Sequence, residues 1–273
     1  YAEMKAGLDS IKACGYDLYK TSANVNGSDF AGMFSQMGSS EAVFTTQYNS
    51  VQSGNGQKNN GWEAQIRPKN TSGKGGKTPS KMLIDLFPMA DGKLPATADT
   101  YTLLAKSSDV YDEEFPLENR DPRFYRTFAF PGERWAYNGG SSLAQFGAGY
   151  PSYNNGKDYE LWNYVWYTKA DDAGNVENST CYGADSLLTN KRGVYLRKRS
   201  DDLDVNGNPL YSFNAIVSNG GFCYSAAPYM ELRYAEVLLN LAEVACGAGD
   251  MEYAVSLLKL IRERAGYTAD NNY

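Results

Sequence analysis

Residues 228–266 read PYMELRYAEVLLNLAEVACGAGDMEYAVSLLKLIRERAG, and this stretch decides the fold. Met230, Tyr234, Val237, Leu238, Leu241 and Ala245 recur at helical spacing, which lays an apolar stripe along one face of a helix. Gly247 to Asp250 then turn the chain, and Ala254, Leu257, Leu258, Ile261 and Ala265 align along a second helix. Asp250 is positioned as its N-cap and Gly266 as its stop. Two antiparallel helices joined by so short a turn form the hairpin of tetratricopeptide-type scaffolds. One hairpin is visible, so a repeat array does not follow from it. Arg233 and Glu236, three residues apart, read as a structural ion pair, and Arg262 and Arg264 as compensation for the second helix's dipole.

Working outward, residues 1–14 place Met4, Leu8 and Ile11 on one face of a further helix, with Gly15 as its stop. Alternation around Val43, Phe44 and Tyr48 predicts a short strand. From Asn49 to Lys77 the chain turns to Gly, Asn, Gln, Lys and Ser with Trp62 alone in the middle, a long loop that reads as a binding element, with disorder as the competing reading. Thr78 and Pro79 open a short helix carrying Met82, Leu83, Leu86 and Phe87, and Pro88 ends it. Residues 131–155 read as loop, with glycines punctuating Trp135, Tyr137, Phe146, Tyr150 and Tyr153. The segment ELWNYVWYTKADDAGNVEN reads as a strand followed by a turn at Ala173 and Gly174. The expected organisation is a scaffold helix over 1–14, an irregular loop region over 15–227 and a helical hairpin over 228–266, within a single domain type across 1–273.

Composition removes several function classes. The 273 residues contain no histidine, which excludes Ser-His-Asp and Cys-His nucleophiles and every imidazole metal site. A net charge of −6 provides no general attraction to nucleic acid or anionic lipid. With 22 Tyr, 11 Phe and 4 Trp, the chain carries its rings in polar company, and such rings serve recognition surfaces as well as cores. Even the most apolar segment, AEVLLNLAEVA from Ala235, is broken by Glu236, Asn240 and Glu243, so no membrane-spanning helix is expected. Residue 1 falls inside a helical pattern with no signal peptide before it, so the natural N-terminus is expected to lie upstream. Cys14 and Cys246 read as small buried hydrophobes, whereas Cys181 and Cys223 lie in loop sequence, where export would permit a disulfide between them without requiring one.

Three constellations invite chemistry. Asp112, Glu113, Glu114 and Glu118 contain a nominal acid pair for glycoside hydrolysis, but also describe a solvated acidic loop. Asp202, Asp204, Asn206 and Gly207 fit the first half of a calcium loop, but its twelfth position is Phe213 where a bidentate Glu is needed. That leaves a polar turn, or a Ca2+ site completed from elsewhere in the chain. The GKGGKT run beginning at Gly73 lacks phosphate-loop spacing and has no apolar strand before it.

Three segments together resemble the SusD/RagB family of outer-membrane nutrient-binding lipoproteins. TPSKMLIDLFPMADGK from Thr78 is similar to its P-T-x-x-L-x-D-x-F…D-G segment, and NRDPRFYRTFAFPGERW from Asn119 to its R-D-P-R-F motif. The hairpin resembles its L-R-Y-A-E-x-L-L-N-x-A-E helix with an R-x-R-A-G end, and YDLYK followed by EAVF resembles the opening of its C-terminal region. The family's N-terminal helical repeats, lipid-bearing Cys and downstream E-R-x-x-E-L-x-x-E-G-x-R segment are not found, so the chain reads as an internal part of a longer protein.

The resemblance implies a mainly α, tetratricopeptide-type helical-repeat scaffold with long irregular loops and a few short strands. It also implies a lipid anchor on the outer face of the outer membrane and a SusC-like TonB-dependent transporter as partner. The implied activity is capture of a glycan without catalysis and without a resident cofactor; an oligopeptide-binding member of the family and a surface glycosidase are the alternatives. Loop context nominates Trp62, Asn59, Asn60 and Arg67, with Trp135, Tyr150, Tyr153 and Trp162, as the ligand surface. Sugars offer C–H faces to rings and hydroxyls to planar amides and guanidinium groups. The Asp121–Phe124 and Arg233–Glu236 motifs are assigned to structure.

Overall fold

The computed structural model describes residues 1–24, 26–34, 36, 38–49, 51, 54–66, 77–95, 108–112, 116–130, 133–136, 158–161, 194–200 and 226–267. The chain divides into two compact units, the first comprising Tyr1–Gln47, Lys81–Arg126 and Ala227–Tyr273, the second Tyr48–Ser80 and Thr127–Ala226.

The first unit is built on the predicted hairpin, α6 (Tyr234–Gly247) and α7 (Met251–Ala265). Tyr234, Ala235, Leu238, Leu241, Ala242 and Ala245 of α6 are buried, as are Ala254, Leu257, Ile261 and Ala265 of α7. The small alanines bring the helices close while the leucines interdigitate. The Asp250 carboxylate accepts the Tyr253 N–H at 3.3 Å, and Gly266 closes α7 at φ 104°, a left-handed conformation in which a Cβ would be strained. Helix α1 (Ala2–Ala13) adds Leu8 to this core, whereas Met4 remains 42% exposed. Gly15 ends α1 at φ 89°.

Met230 belongs to β6 (Tyr229–Arg233), not to the helix that its spacing suggested. It buries its side chain with Phe30, Met33 and Phe34, and the extended Arg233 holds back the helix start to Tyr234. Strand β6 pairs antiparallel with β1 (Ala42–Thr46), the strand expected from the sequence, with irregularities around Phe44. Phe44 points out, 64% exposed. Cys14 and Cys246 are exposed, against the expectation of burial, because one caps the uncovered end of α1 and the other lies on the outer side of α6. Helix α4 (Lys81–Asp85) starts two residues beyond Pro79.

The charged motifs form the interior of this unit. Glu41, with no exposed surface, accepts from Arg233 Nη1 at 3.1 Å, from the Tyr19 N–H at 3.2 Å and from Arg264 Nη1. Arg233 therefore bonds Glu41 instead of serving an intrahelical pair with Glu236, and Arg264, in the last turn of α7, is a core ion as well. Burial pulls the Arg264 pKa down, the Glu41 charge opposing it. The R-D-P-R-F segment spans α5 (Pro122–Thr127). Asp121, fully buried, accepts from Arg123 Nε at 2.9 Å, from the Arg123 N–H at 2.7 Å and from the Tyr267 hydroxyl at 2.9 Å. Burial, then the Asp121 charge, pushes the Tyr267 hydroxyl far above its ordinary range. Arg120 donates to the carbonyls of Pro116 at 2.8 Å and Phe87 at 3.0 Å, tying down the chain after α4.

The second unit contains α3 (Trp62–Ile66) and the short strands β2 (Phe128–Ala129), β3 (Glu133–Ala136), β4 (Asp158–Leu161) and β5 (Tyr195–Leu196). Strands β2 and β5 pair antiparallel, as do β3 and β4. Thus β3 lies inside the expected 131–155 loop and α3 inside the 49–77 loop; elements this short carry too few residues to show a period. The turn expected at Ala173 and Gly174 lies outside the described residues.

Candidate functional site

The site is built on asparagines. The Asn49 N–H donates to the Lys58 carbonyl at 2.7 Å, and its side-chain amide to the Gly56 carbonyl at 2.7 Å. Its Oδ1 accepts from the backbone N–H groups of Val51 at 3.2 Å and Lys58 at 3.0 Å. Asn59 closes the same loop from the other side, its Nδ2 reaching the carbonyls of Asn49 at 2.6 Å and Val51 at 3.0 Å. Its Oδ1 accepts from Gln57 Nε2 at 2.8 Å. Short polar side chains thus replace a β-ladder, satisfying backbone groups that a loop otherwise leaves to water.

This knot leads directly into Trp62. Asn60 Oδ1 accepts the Trp62 N–H at 3.0 Å and starts α3. The helix buries Ala64 and Ile66 and leaves the Trp62 ring half-buried. Its indole N–H donates to the Lys198 carbonyl at 2.9 Å, which fixes the ring's orientation. Next to it, Glu63 is 3% exposed and accepts the Ser200 hydroxyl at 2.7 Å. The 197–200 turn is held by the Thr127 carbonyl, which accepts from the N–H groups of Arg197 at 2.7 Å and Lys198 at 3.1 Å. Arg199 follows at φ 66°, a left-handed conformation uncommon outside glycine.

Two ammonium groups attend the rings. Lys77 Nζ lies 5.9 Å from the Trp62 ring centroid, and Lys58 Nζ lies 5.7 Å from that of the half-buried Tyr48. The arrangement offers fixed aromatic surface and charge. Among the described residues, no group of three His, Cys, Asp or Glu side chains could hold a metal ion. Asp112 and Glu118, from the acidic cluster, are exposed residues of the first unit.

Of the residues nominated from the sequence, Asn59, Asn60 and Trp62 come together here, with the Asn59 amide engaged by its own loop. Trp135 stands opposite Tyr159 in the β3–β4 register. Arg67, Tyr150, Tyr153 and Trp162 lie outside the described residues, as do Asp202, Asp204, Asn206, Cys181 and Cys223. Asn49, Lys58, Lys77 and Lys198 were not nominated. Asparagine enrichment around Trp62 was the available signal for the first, whereas Lys198 reaches the ring from 136 residues away along the chain.

A family model described as the SusD family matches residues 40–271. No curated protein matches the chain. Among solved structures, it is similar to a SusD-like protein from Bacteroides fragilis NCTC 9343, at 23% identity and a TM-score of 0.56, over 98% of this chain and 45% of that one. It is also similar to a SusD-like carbohydrate binding protein from the same strain, at 16% identity and a TM-score of 0.51, over 96% of this chain and 41% of the other. The chain therefore spans less than half the length of either structure. At these identities the likeness is one of fold, mainly helical with a few short strands. Among the described residues, no helix is long and apolar enough to cross a membrane.

Proposed function

Because this chain belongs to the SusD family, we propose that it serves in non-catalytic capture of a glycan at the cell surface. Delivery is to a SusC-like TonB-dependent transporter, with the protein held on the outer membrane by a lipid anchor. Family membership over residues 40–271 is the observation that carries the reading. One similar structure is a SusD-like carbohydrate binding protein, which agrees with it. Further support comes from the chemistry of the second unit, where a tryptophan ring is fixed by its own N–H on a helix that an asparagine starts. A sugar stacks its C–H face on such a ring without any reacting group being required.

In this proposal Trp62 is the stacking platform, with Asn60, Arg67, Trp135, Tyr150, Tyr153 and Trp162 completing the surface, and Asn59 setting the shape of the loop. Calorimetric titration against neutral and acidic oligosaccharides, beside a mixed peptide library, tests it. Heat from one glycan class, with no reducing ends released on long incubation, is the expected result. Trp62→Ala is expected to weaken that binding by about 1–2 kcal/mol, roughly five- to thirtyfold, given the usual worth of an aromatic contact and its buried area. If Trp62→Ala and Trp135→Ala both leave the affinity unchanged, the site is wrong; heat from peptides alone would replace the cargo.

A further inference from the structure

The charge of the loop runs against that of the chain. The whole protein carries −6, yet between Tyr48 and Ser80 stand Lys58, Arg67, Lys69, Lys74 and Lys77 against the single carboxylate of Glu63. That carboxylate is buried and accepts from Ser200, so it contributes little negative field at the surface. The turn docked on Trp62 adds Lys198 and Arg199, Arg197 being as buried as Glu63, with no acid between Val194 and Ser200. On an acidic protein, a stretch of chain so rich in cations, with Lys77 beside a fixed ring and Lys198 and Arg199 on the turn that holds it, makes a local positive field rather than a balanced surface.

Geometry gives that field a chemical use. Lys58 and Lys77 are exposed and, among the described residues, neither ammonium makes an ion pair; each instead lies within 6 Å of a ring centroid, at Tyr48 and Trp62. A pyranose stacked on the open part of either ring holds the substituent at its C5 within reach of the ammonium that the flexible lysine stem already carries to that ring. Lys58 and Trp62 are four residues apart, at most about 14 Å between their Cα atoms, so one short oligosaccharide can address both pairs. A neutral sugar would leave both ammonium groups without an anion, whereas a carboxylate or sulfate on each unit would pair with them.

Building on the glycan-capture reading, we propose that the preferred ligand is an anionic glycan, bearing uronate carboxylates or sulfate esters, bound by the Tyr48–Lys58 and Trp62–Lys77 pairs. The test is titration of the full chain with oligogalacturonate, chondroitin sulfate oligosaccharide, neutral xylo-oligosaccharide and single-stranded DNA, at about 50 and about 500 mM NaCl. The expected result is binding of one anionic glycan at least about tenfold tighter than the neutral one at low salt, with the preference collapsing at high salt. The double variant Lys58→Gln/Lys77→Gln is expected to lose about tenfold on the anionic glycan and less than about twofold on the neutral one, with an unchanged melting temperature. Oligogalacturonate and chondroitin sulfate distinguish a carboxylate from a sulfate ligand. Equal or tighter binding of the neutral glycan overturns the anionic assignment and leaves glycan capture standing. Binding of DNA as tightly as of the acidic glycans also overturns it, by reducing the patch to nonspecific polyanion attraction. Heat from no glycan at all overturns the capture reading on which it rests.

Discussion

Replacing Glu41 by Gln tests whether the charged interior of the first unit holds the helical hairpin to the strand pair. The substitution preserves volume and one acceptor oxygen, but removes the charge facing Arg233 and Arg264. Arg264 has only 2% of its side chain exposed, so water cannot replace the lost partner. Breaking a buried ion pair from one side costs about 3–5 kcal/mol, and the retained amide oxygen offsets about 1 kcal/mol by still accepting one donor. The net loss is then about 2–4 kcal/mol, and with an m-value of about 3 kcal/mol/M the urea midpoint falls by about 1 M. Unfolding followed by near-UV circular dichroism reads it. The apolar double variant Glu41→Leu/Arg264→Met is expected to lose at least about 1 kcal/mol less than the sum of its single variants, since it removes the most buried charge together with its partner and leaves only the partly exposed Arg233 without a carboxylate. A midpoint shift under about 0.3 M for Glu41→Gln, or strict additivity in the cycle, would refute the reasoning.

Other expectations follow from neighbouring groups. Among the described residues the buried Tyr234 hydroxyl has no hydrogen-bond partner, so Tyr234→Phe is expected to leave thermal stability within about 1 kcal/mol of the parent or raise it; a larger loss would mean that the hydroxyl has a partner. Gly266→Ala forces a Cβ onto a residue at φ 104°, where it would meet Pro122 Cγ at 3.4 Å, and is expected to cost about 1–2 kcal/mol by chemical denaturation. In alkali, burial raises the Tyr234 pKa to about 12 and that of Tyr267 further. A hydroxyl whose folded pKa exceeds its unfolded value stabilises fully below about pH 10 and loses that contribution as pH rises through the folded value. Tyrosinate absorbance and circular dichroism are therefore expected to show late-titrating tyrosines that ionise only as the fold is lost; full titration near pH 10 with the fold intact would contradict this.

The hairpin was legible because a helix repeats its apolar face every three or four residues, and Asp250 and Gly266 supplied its cap and stop in local sequence. The same reasoning misplaced Met230, since spacing alone does not tell a strand leading into a helix from the helix itself. It located the loop around Trp62 by composition, but α3 and β3 are too short to show a period. The partner of Arg233 was misread for another reason. Glu236 is near in sequence, while Glu41 is near only after the β1–β6 pairing has formed.

The sequence by itself determined the helical pair, the absence of imidazole chemistry and the family resemblance, because each is a property of residue type and local spacing. Tertiary structure alone decided which carboxylates are buried against which arginines, and that the Lys198 carbonyl fixes the Trp62 indole. Those pairings join residues more than a hundred positions apart in two of the three cases, at Arg264 with Glu41 and Trp62 with Lys198. The energy of a hydrogen bond depends on distance, direction and exclusion of water, which chain folding sets and residue order does not encode locally.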